Sequence, residues 1–290
     1  MREYWRRFWY QPASPVNLAA ARILLSGCGL WMLLSRGDLP QLLEFPGPLW
    51  AAVPLERRVR FLILLPVAVE RLLFGVAHLT LVAAMLGVWS RAACLASGLL
   101  LYHFAPFETA LWTGNPYLRG LTIPTLGLLI LSFSRCGDAL AVWPYRKDAA
   151  PSADYTWPLK LTQLLFAQIY FFSGYAKLAT SGLEWASAAN IRGHLLVLNQ
   201  LLEFPPGSPG FVLASSPLAC AIVGWAGLLF DLAFPLVLFS QTAVLWMLPA
   251  AILFHAANSW LFHIHFQNAP LLLLYVDWAR LLAPGGSPDE

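Results

Sequence analysis

Residues 163–185 read QLLFAQIYFFSGYAKLATSGLEW, and the meaning of the chain turns on where this stretch puts Lys177. Thirteen of the fourteen residues from Leu164 to Lys177 are uncharged, so a membrane span here leaves Lys177 near its far end with several apolar turns behind it. An ammonium near the hydrocarbon core costs about 2.5–3.5 kcal/mol on insertion scales, and is relieved by pairing, by snorkelling or by loss of the proton. Snorkelling to the head groups is the common behaviour of a lysine at a helix end. Loss of the proton leaves a neutral amine in dry surroundings, a base for a weakly acidic substrate. This stretch alone leaves both readings open.

The composition supplies the membrane. The chain is 59% hydrophobic and 11% charged, with mean hydropathy +0.63 and 13 Trp in 290 residues. Soluble domains carry about 25% charged residues, so there is too little polar surface here to cover a water-facing fold. The expected fold is an all-α integral membrane protein, a multi-span helical bundle of about eight transmembrane helices with interfacial amphipathic helices, forming one transmembrane domain over 1–290. Spans are expected near 17–36, 60–87, 91–111, 117–134, 158–179, 216–239, 242–264 and 267–283. A formal charge of +3 is too small and too dispersed for a nucleic-acid partner; membrane lipid is the expected one.

Residues 1–12, MREYWRRFWYQP, alternate arginines with aromatic rings, the pattern of an interfacial helix at head-group depth. They offer no small-residue cleavage site, so no removable signal peptide is expected. Residues 39–54 read as a partly re-entrant interfacial segment, and 135–157 and 181–215 as polar loops and surface helices. Alternating the loops gives nine Lys and Arg on the side of the N-terminus and six on the other, which favours a cytoplasmic N-terminus. Fifteen Arg to three Lys, in an Ala- and Leu-rich chain, suits a bacterial plasma membrane. Cys28, Cys94, Cys136 and Cys220 lack C-x-x-C spacing, so neither a metal nor a disulfide is expected.

A second polar interruption, LFHAANSWLFHIHFQNAP, lies near the C-terminus. His255, Asn258, Ser259 and Phe262 fall at i, i+3, i+4 and i+7, one helical stripe. Tyr170 and Asp231 are isolated polar groups on apolar segments and can converge on the same interior. The stripe fits interhelical hydrogen bonding, at about 0.6 kcal/mol per bond. The histidines also fit haem ligation, with His78, His103, His255 and His263 able to pair across helices, and the stripe fits a site for a polar-headed apolar molecule such as a quinone or lipid.

YFFSGYAKL (Tyr170–Leu178) resembles the tyrosine, glycine, lysine-leucine motif of the vitamin K-dependent gamma-carboxylases and the related bacterial HTTM membrane proteins, and FHAANSWLF (Phe254–Phe262) resembles the same family's histidine-bearing segment. Scattered similarity at Pro15–Arg22, at Trp112 with Tyr117-Leu118, and around Asp231 extends the resemblance over nearly the entire chain.

The resemblance implies an enzyme, a carbon-carbon lyase, in which a membrane-buried lysine deprotonates reduced vitamin K. Reaction with oxygen then yields a strong base that takes a proton from a glutamate gamma-carbon; carbon dioxide adds and the epoxide leaves. It carries the base role to Lys177 and cofactor contacts to Tyr170, His255 and Asn258. Asn115 stands where the animal enzymes have a histidine, as a further contact. The implied cofactor is reduced vitamin K or a menaquinol-type hydroquinone, with oxygen and carbon dioxide as co-substrates and no metal; the partner is a protein or peptide substrate.

The resemblance has departures too. Trp185 follows the lysine at a longer spacing, and no stretch matches the large lumenal recognition domain of the animal enzymes. The alternative is a non-catalytic quinone- or lipid-binding scaffold subunit. Because a carboxylate beside Lys177 would keep it charged, Asp231 is expected to pair with Arg22 or Arg71. Phe171, Phe172, Trp260 and Phe262 are the aromatics expected to line the site.

Overall fold

The structure, a computed structural model, describes residues 2–35, 65–111, 120–146 and 149–283, the side chains of 106–111 excepted. The expected re-entrant segment at 39–54 and the contact residue Asn115 lie outside the described residues. The described residues are helical and contain no strand beyond one isolated bridge between Ala13 and Ser152. The chain divides into two compact units, residues 1–162 with 276–290, and residues 163–275.

The first unit carries α1 (Arg2–Tyr10), α2 (Pro15–Leu34), α3 (Val67–Leu86), α4 (Ser90–Leu111), α5 (Thr122–Ser132), the first turns of α6 (Thr156–Ser181) and a terminal α11 (Trp278–Leu281). Ser14 caps α2 by accepting from the Val16 amide, with Pro15 in the first turn, where its missing N–H costs nothing. Arg22, two turns into α2, is fully buried. Its guanidinium donates to the carbonyls of Ala84 (2.7 Å) and Leu140 (2.6 Å), so the C-terminal dipole of α3 and one loop carbonyl offset its charge, with no carboxylate paired to it among the described residues. Gly87, which ends α3 at φ 75°, must lack a side chain: a Cβ there would stand 2.4 Å from Arg22 Nη1.

Outside the apolar helices, the Tyr155 hydroxyl donates to Asp138 (2.8 Å). Burial, with the Asp138 carboxylate beside it, pushes that phenol up to about 12.

The second unit carries the rest of α6, α7 (Ala188–Leu201), α8 (Pro209–Ala214), α9 (Pro217–Ala233), which continues as a 3-10 turn over Phe234–Leu238, and α10 (Gln241–Phe262). Asn199 ties three of these together. Its amide donates to the carbonyls of Leu195 and Leu261, and its oxygen accepts from Ser208 and lies 3.1 Å from His263 Nε2. Around it pack Ile191, Leu195, Ala214, Cys220 and Leu261.

Four helical stretches among the described residues are long and apolar enough to cross a membrane: Pro15–Leu34, Val67–Leu86, Pro217–Leu238 and Gln241–Phe262. The protein is an all-α membrane protein. α6 has the length, 26 residues or about 39 Å, but carries Lys160, Gln163, Gln168 and Lys177. α5, expected as a span over 117–134, has 11 residues and reaches about 16 Å, half the hydrocarbon thickness.

The expected span at 267–283 is a seven-residue 3-10 turn, Ala269–Tyr275, followed by the short α11. Pro270 supplies no donor, and Gln163 takes over part of the local hydrogen bonding. The Gln163 amide donates to the Leu274 carbonyl and the Tyr275 hydroxyl donates to the Gln163 carbonyl, both at 2.7 Å. The window is apolar because it is packed against α6, not because it faces lipid: Leu271, Leu272, Leu274 and Tyr275 are buried.

Candidate functional site

The second unit places four of the singled-out polar groups on facing helices. Along α6, Tyr170 and Lys177 are seven residues apart, two turns along one face. Lys177 donates to Asp231 Oδ2 on α9 at 2.5 Å, and its ammonium also stands over the Trp185 ring, 4.3 Å from the centroid. Asp231 is 1% exposed and Lys177 18%, so the amine keeps a narrow open side while the carboxylate is enclosed. Gly174, one turn before Lys177, permits this approach: a Cβ there would meet Asp231 and Leu232 at 3.0 Å.

This corrects the expected partner of Asp231. Both terminal nitrogens of Arg22 donate to backbone carbonyls in the first unit, Arg71 is exposed in the same unit, and the carboxylate pairs with Lys177. The two side chains form an ion pair in largely apolar surroundings. Separation into ammonium and carboxylate costs desolvation of both, and their mutual attraction offsets it. Lys177 and Asp231 are therefore one structural unit that links α6 to α9.

Two turns back along α6, the Tyr170 hydroxyl and His255 Nε2 on α10 are 2.8 Å apart. Rings surround this bond. Tyr170 packs on Phe234 (4.1 Å between centroids) and edge-on to Phe230 (5.5 Å), Phe230 stacks on Phe254 (4.7 Å), and His255 packs on Phe266 (5.2 Å). Since Phe230 is the residue before Asp231, the ring cluster and the Lys177–Asp231 pair share α9 as well as α6.

Asn258 does not join them. Its amide donates to the Phe254 carbonyl of its own helix (2.8 Å), and Ser259 contacts His265 (2.7 Å), so the polar stripe does not act as one surface. His78 contacts its own Phe74 carbonyl, His103 pairs with Glu70 at 2.8 Å, and His263 is held by Asn199, so each imidazole of the expected haem set has another partner.

The family model of the HTTM domain matches residues 10–276 of this sequence, a match that spans both units. The chain belongs to the HTTM family. That family is associated with vitamin K-dependent carboxylase-like proteins. No solved structure matches the chain.

Within this HTTM domain, the aromatic lining differs from the expected one. Phe171, Phe172 and Trp260 are exposed, at 41%, 56% and 68%, and face outward on their helices. The inward rings, Phe166, Phe230, Phe234, Phe254 and Phe266, were visible in part as the i, i+4 pairs Phe166/Tyr170 and Phe230/Phe234, the spacing of one helix face.

Whether the HTTM site fits a hydroquinone is tested by its unsatisfied atoms. His255 Nδ1 and Asn268 Oδ1 are buried with no hydrogen-bond partner among the described residues. A buried polar atom without a partner costs about 1–3 kcal/mol, so such atoms are rare unless something else completes them. Nε2 of the same ring is engaged by the Tyr170 hydroxyl, which leaves Nδ1 as the free polar edge of the imidazole beside the aromatic cluster. The unpartnered imidazole nitrogen beside the ring cluster is the kind of group that would hold an oxygen at the edge of a flat apolar molecule.

Proposed function

We propose that this protein is a carboxylase-like membrane enzyme acting on a reduced naphthoquinone, with the Lys177–Asp231 pair as its acid–base centre. The observation that supports it is this pair, inside the helices, two turns from Tyr170 and His255 and joined to them by a run of aromatic rings. A bound reduced naphthoquinone supplies an oxidisable ring whose conversion to the epoxide by oxygen drives proton removal from a carbon acid, such as glutamate, and its carboxylation.

The chain's own residues then do the following. The pair accepts one proton and ends with a carboxylic acid beside an ammonium, a net positive charge next to the oxygen that gave up the proton. In a dry site that charge is worth far more than in water. Trp185 spreads part of the ammonium charge over its face. His255 Nδ1 and Asn268 Oδ1 orient the oxygens, Tyr170 fixes the imidazole, and Phe230, Phe234 and Phe254 exclude water.

The same pair favours a second reading, a non-catalytic quinone- or lipid-binding scaffold in which Lys177 and Asp231 merely clamp α6 to α9 at Gly174. Incubation of protein in lipid nanodiscs with reduced vitamin K, oxygen and bicarbonate, followed by chromatography for the epoxide, separates the two. The enzyme reading expects epoxide from the wild type and its loss in Lys177→Ala and Asp231→Asn. Epoxide formation equal in all three removes the pair from the chemistry, and a wild type that binds vitamin K without forming epoxide establishes the scaffold.

A further inference from the structure

One end of the first unit gathers an excess of basic side chains over acidic ones among the described residues. The N-terminal ends of α2, α4 and α6 meet the C-terminal ends of α3 and α5 there. Arg22 reaches Ala84 and Leu140, Arg91 donates to the Ser134 carbonyl (2.8 Å), and the Thr156 hydroxyl donates to the Gln11 carbonyl. The described segments of this end, 2–14, 87–91, 134–146, 149–160 and 277–280, hold eight basic side chains against four acidic ones.

Each of the four carboxylates already has a partner within this unit. Glu3 pairs with Arg7 and Asp154 with Arg135, both at 3.0 Å, Asp138 accepts from Tyr155, and Asp277 accepts from Asn17. Arg2 and Arg6, one turn apart on α1, are exposed and meet no acidic partner among the described residues.

Aromatic rings mark the depth of this end. Trp89 stacks on Trp143 (6.0 Å between centroids) with both rings more than half exposed, and Trp5 is 48% exposed. These rings sit at the ends of apolar membrane-crossing helices, where tryptophan prefers the head-group layer. α1 is not free to leave that layer: the Ala13–Ser152 bridge and the Gln11–Thr156 bond fasten its C-terminal end, and Phe8 lies under Lys160, 5.3 Å from its ammonium. Arg2 and Arg6 thus sit on the same end as these interfacial rings, with no acidic partner among the described residues. We infer that this face binds anionic phospholipid head groups through Arg2 and Arg6, setting this end of the unit in the anionic leaflet.

The test uses the whole protein in mixed micelles of phosphatidylcholine and phosphatidylglycerol, followed by gel filtration and mass-spectrometric counting of retained lipid. Each basic side chain near an anionic surface contributes about fivefold to partition at low salt. The wild type is expected to retain phosphatidylglycerol several-fold above the bulk ratio at low salt, with the enrichment falling in high salt as charges are screened. Arg2→Gln with Arg6→Gln is expected to bring it close to the bulk ratio, while Arg2→Lys with Arg6→Lys keeps it. Since these side chains are exposed, gel filtration should show an unchanged fold in both. Wild-type protein that retains the bulk ratio, or the same enrichment in the glutamine variant, overturns the inference.

Discussion

Two buried cations in the same chain are handled in opposite ways. Arg22, in the first unit, has its charge spread over backbone carbonyls at the end of α3 and in the Ala139–Leu140 loop, none of which can take up a proton. Lys177, in the second, is matched by one carboxylate that can. Backbone dipoles fix a charge permanently, and guanidinium stays protonated throughout the accessible range. An amine and a carboxylate in contact form a site whose proton count can change. A membrane protein that needs only to satisfy a buried cation has the first solution at hand; the second is the one a proton-accepting site would require.

The contrast breaks most visibly in activity. Lys177→Ala and Asp231→Asn should each lower epoxide formation about 10²–10⁴-fold, the usual weight of a positioned acid or base. Any change at Arg22 that still folds should leave the rate per folded molecule unaltered.

Stability sharpens it next. Truncating one partner, as in Lys177→Ala or Asp231→Ala, leaves a lone buried charge or acid and should cost about 3–5 kcal/mol in denaturant unfolding. The double change to Leu at both positions should return near the wild type. Arg22→Lys should lose about 2–3 kcal/mol, because one ammonium cannot span both the Ala84 and Leu140 carbonyls as the guanidinium fork does.

Smaller effects follow. Tyr170→Phe removes one hydrogen bond to His255 and should cost about 1 kcal/mol, measured in the same unfolding experiment. In the first unit the raised Tyr155 phenol gives a pH signature. Its value of about 12 in the fold exceeds the ordinary value near 10, so its contribution to stability is intact below pH 10 and lost as pH rises through about 12. The melting temperature of the wild type should therefore fall more steeply over pH 10–12 than that of Tyr155→Phe.

Much of the site was legible because a polar residue in an apolar helix stands out without any geometry. Lys177, Tyr170, Asp231 and His255 were each exposed by the composition around them. Their pairing was not. Which carboxylate meets Lys177 depends on how closely α6 and α9 cross, and that is decided at Gly174 by a missing Cβ whose neighbour no periodicity names. The aromatic lining was misassigned for a related reason: Phe171 and Phe172 adjoin Tyr170 in sequence, but adjacent residues on a helix are 100° apart and these two face outward. The last expected span failed because hydropathy counts apolar residues without asking whether a helix of that length can form, and at Ala269–Tyr275 the chain instead tightens into a 3-10 turn.

The central claim is that the Lys177–Asp231 pair takes up the hydroquinone proton, and infrared difference spectroscopy reads it directly. Reduced vitamin K added without oxygen to the protein in nanodiscs should produce the carbonyl stretch of a protonated carboxylic acid in the wild type, absent in Asp231→Asn and kept in Glu70→Gln. A spectrum with no such band, or the same band in Asp231→Asn, would contradict it.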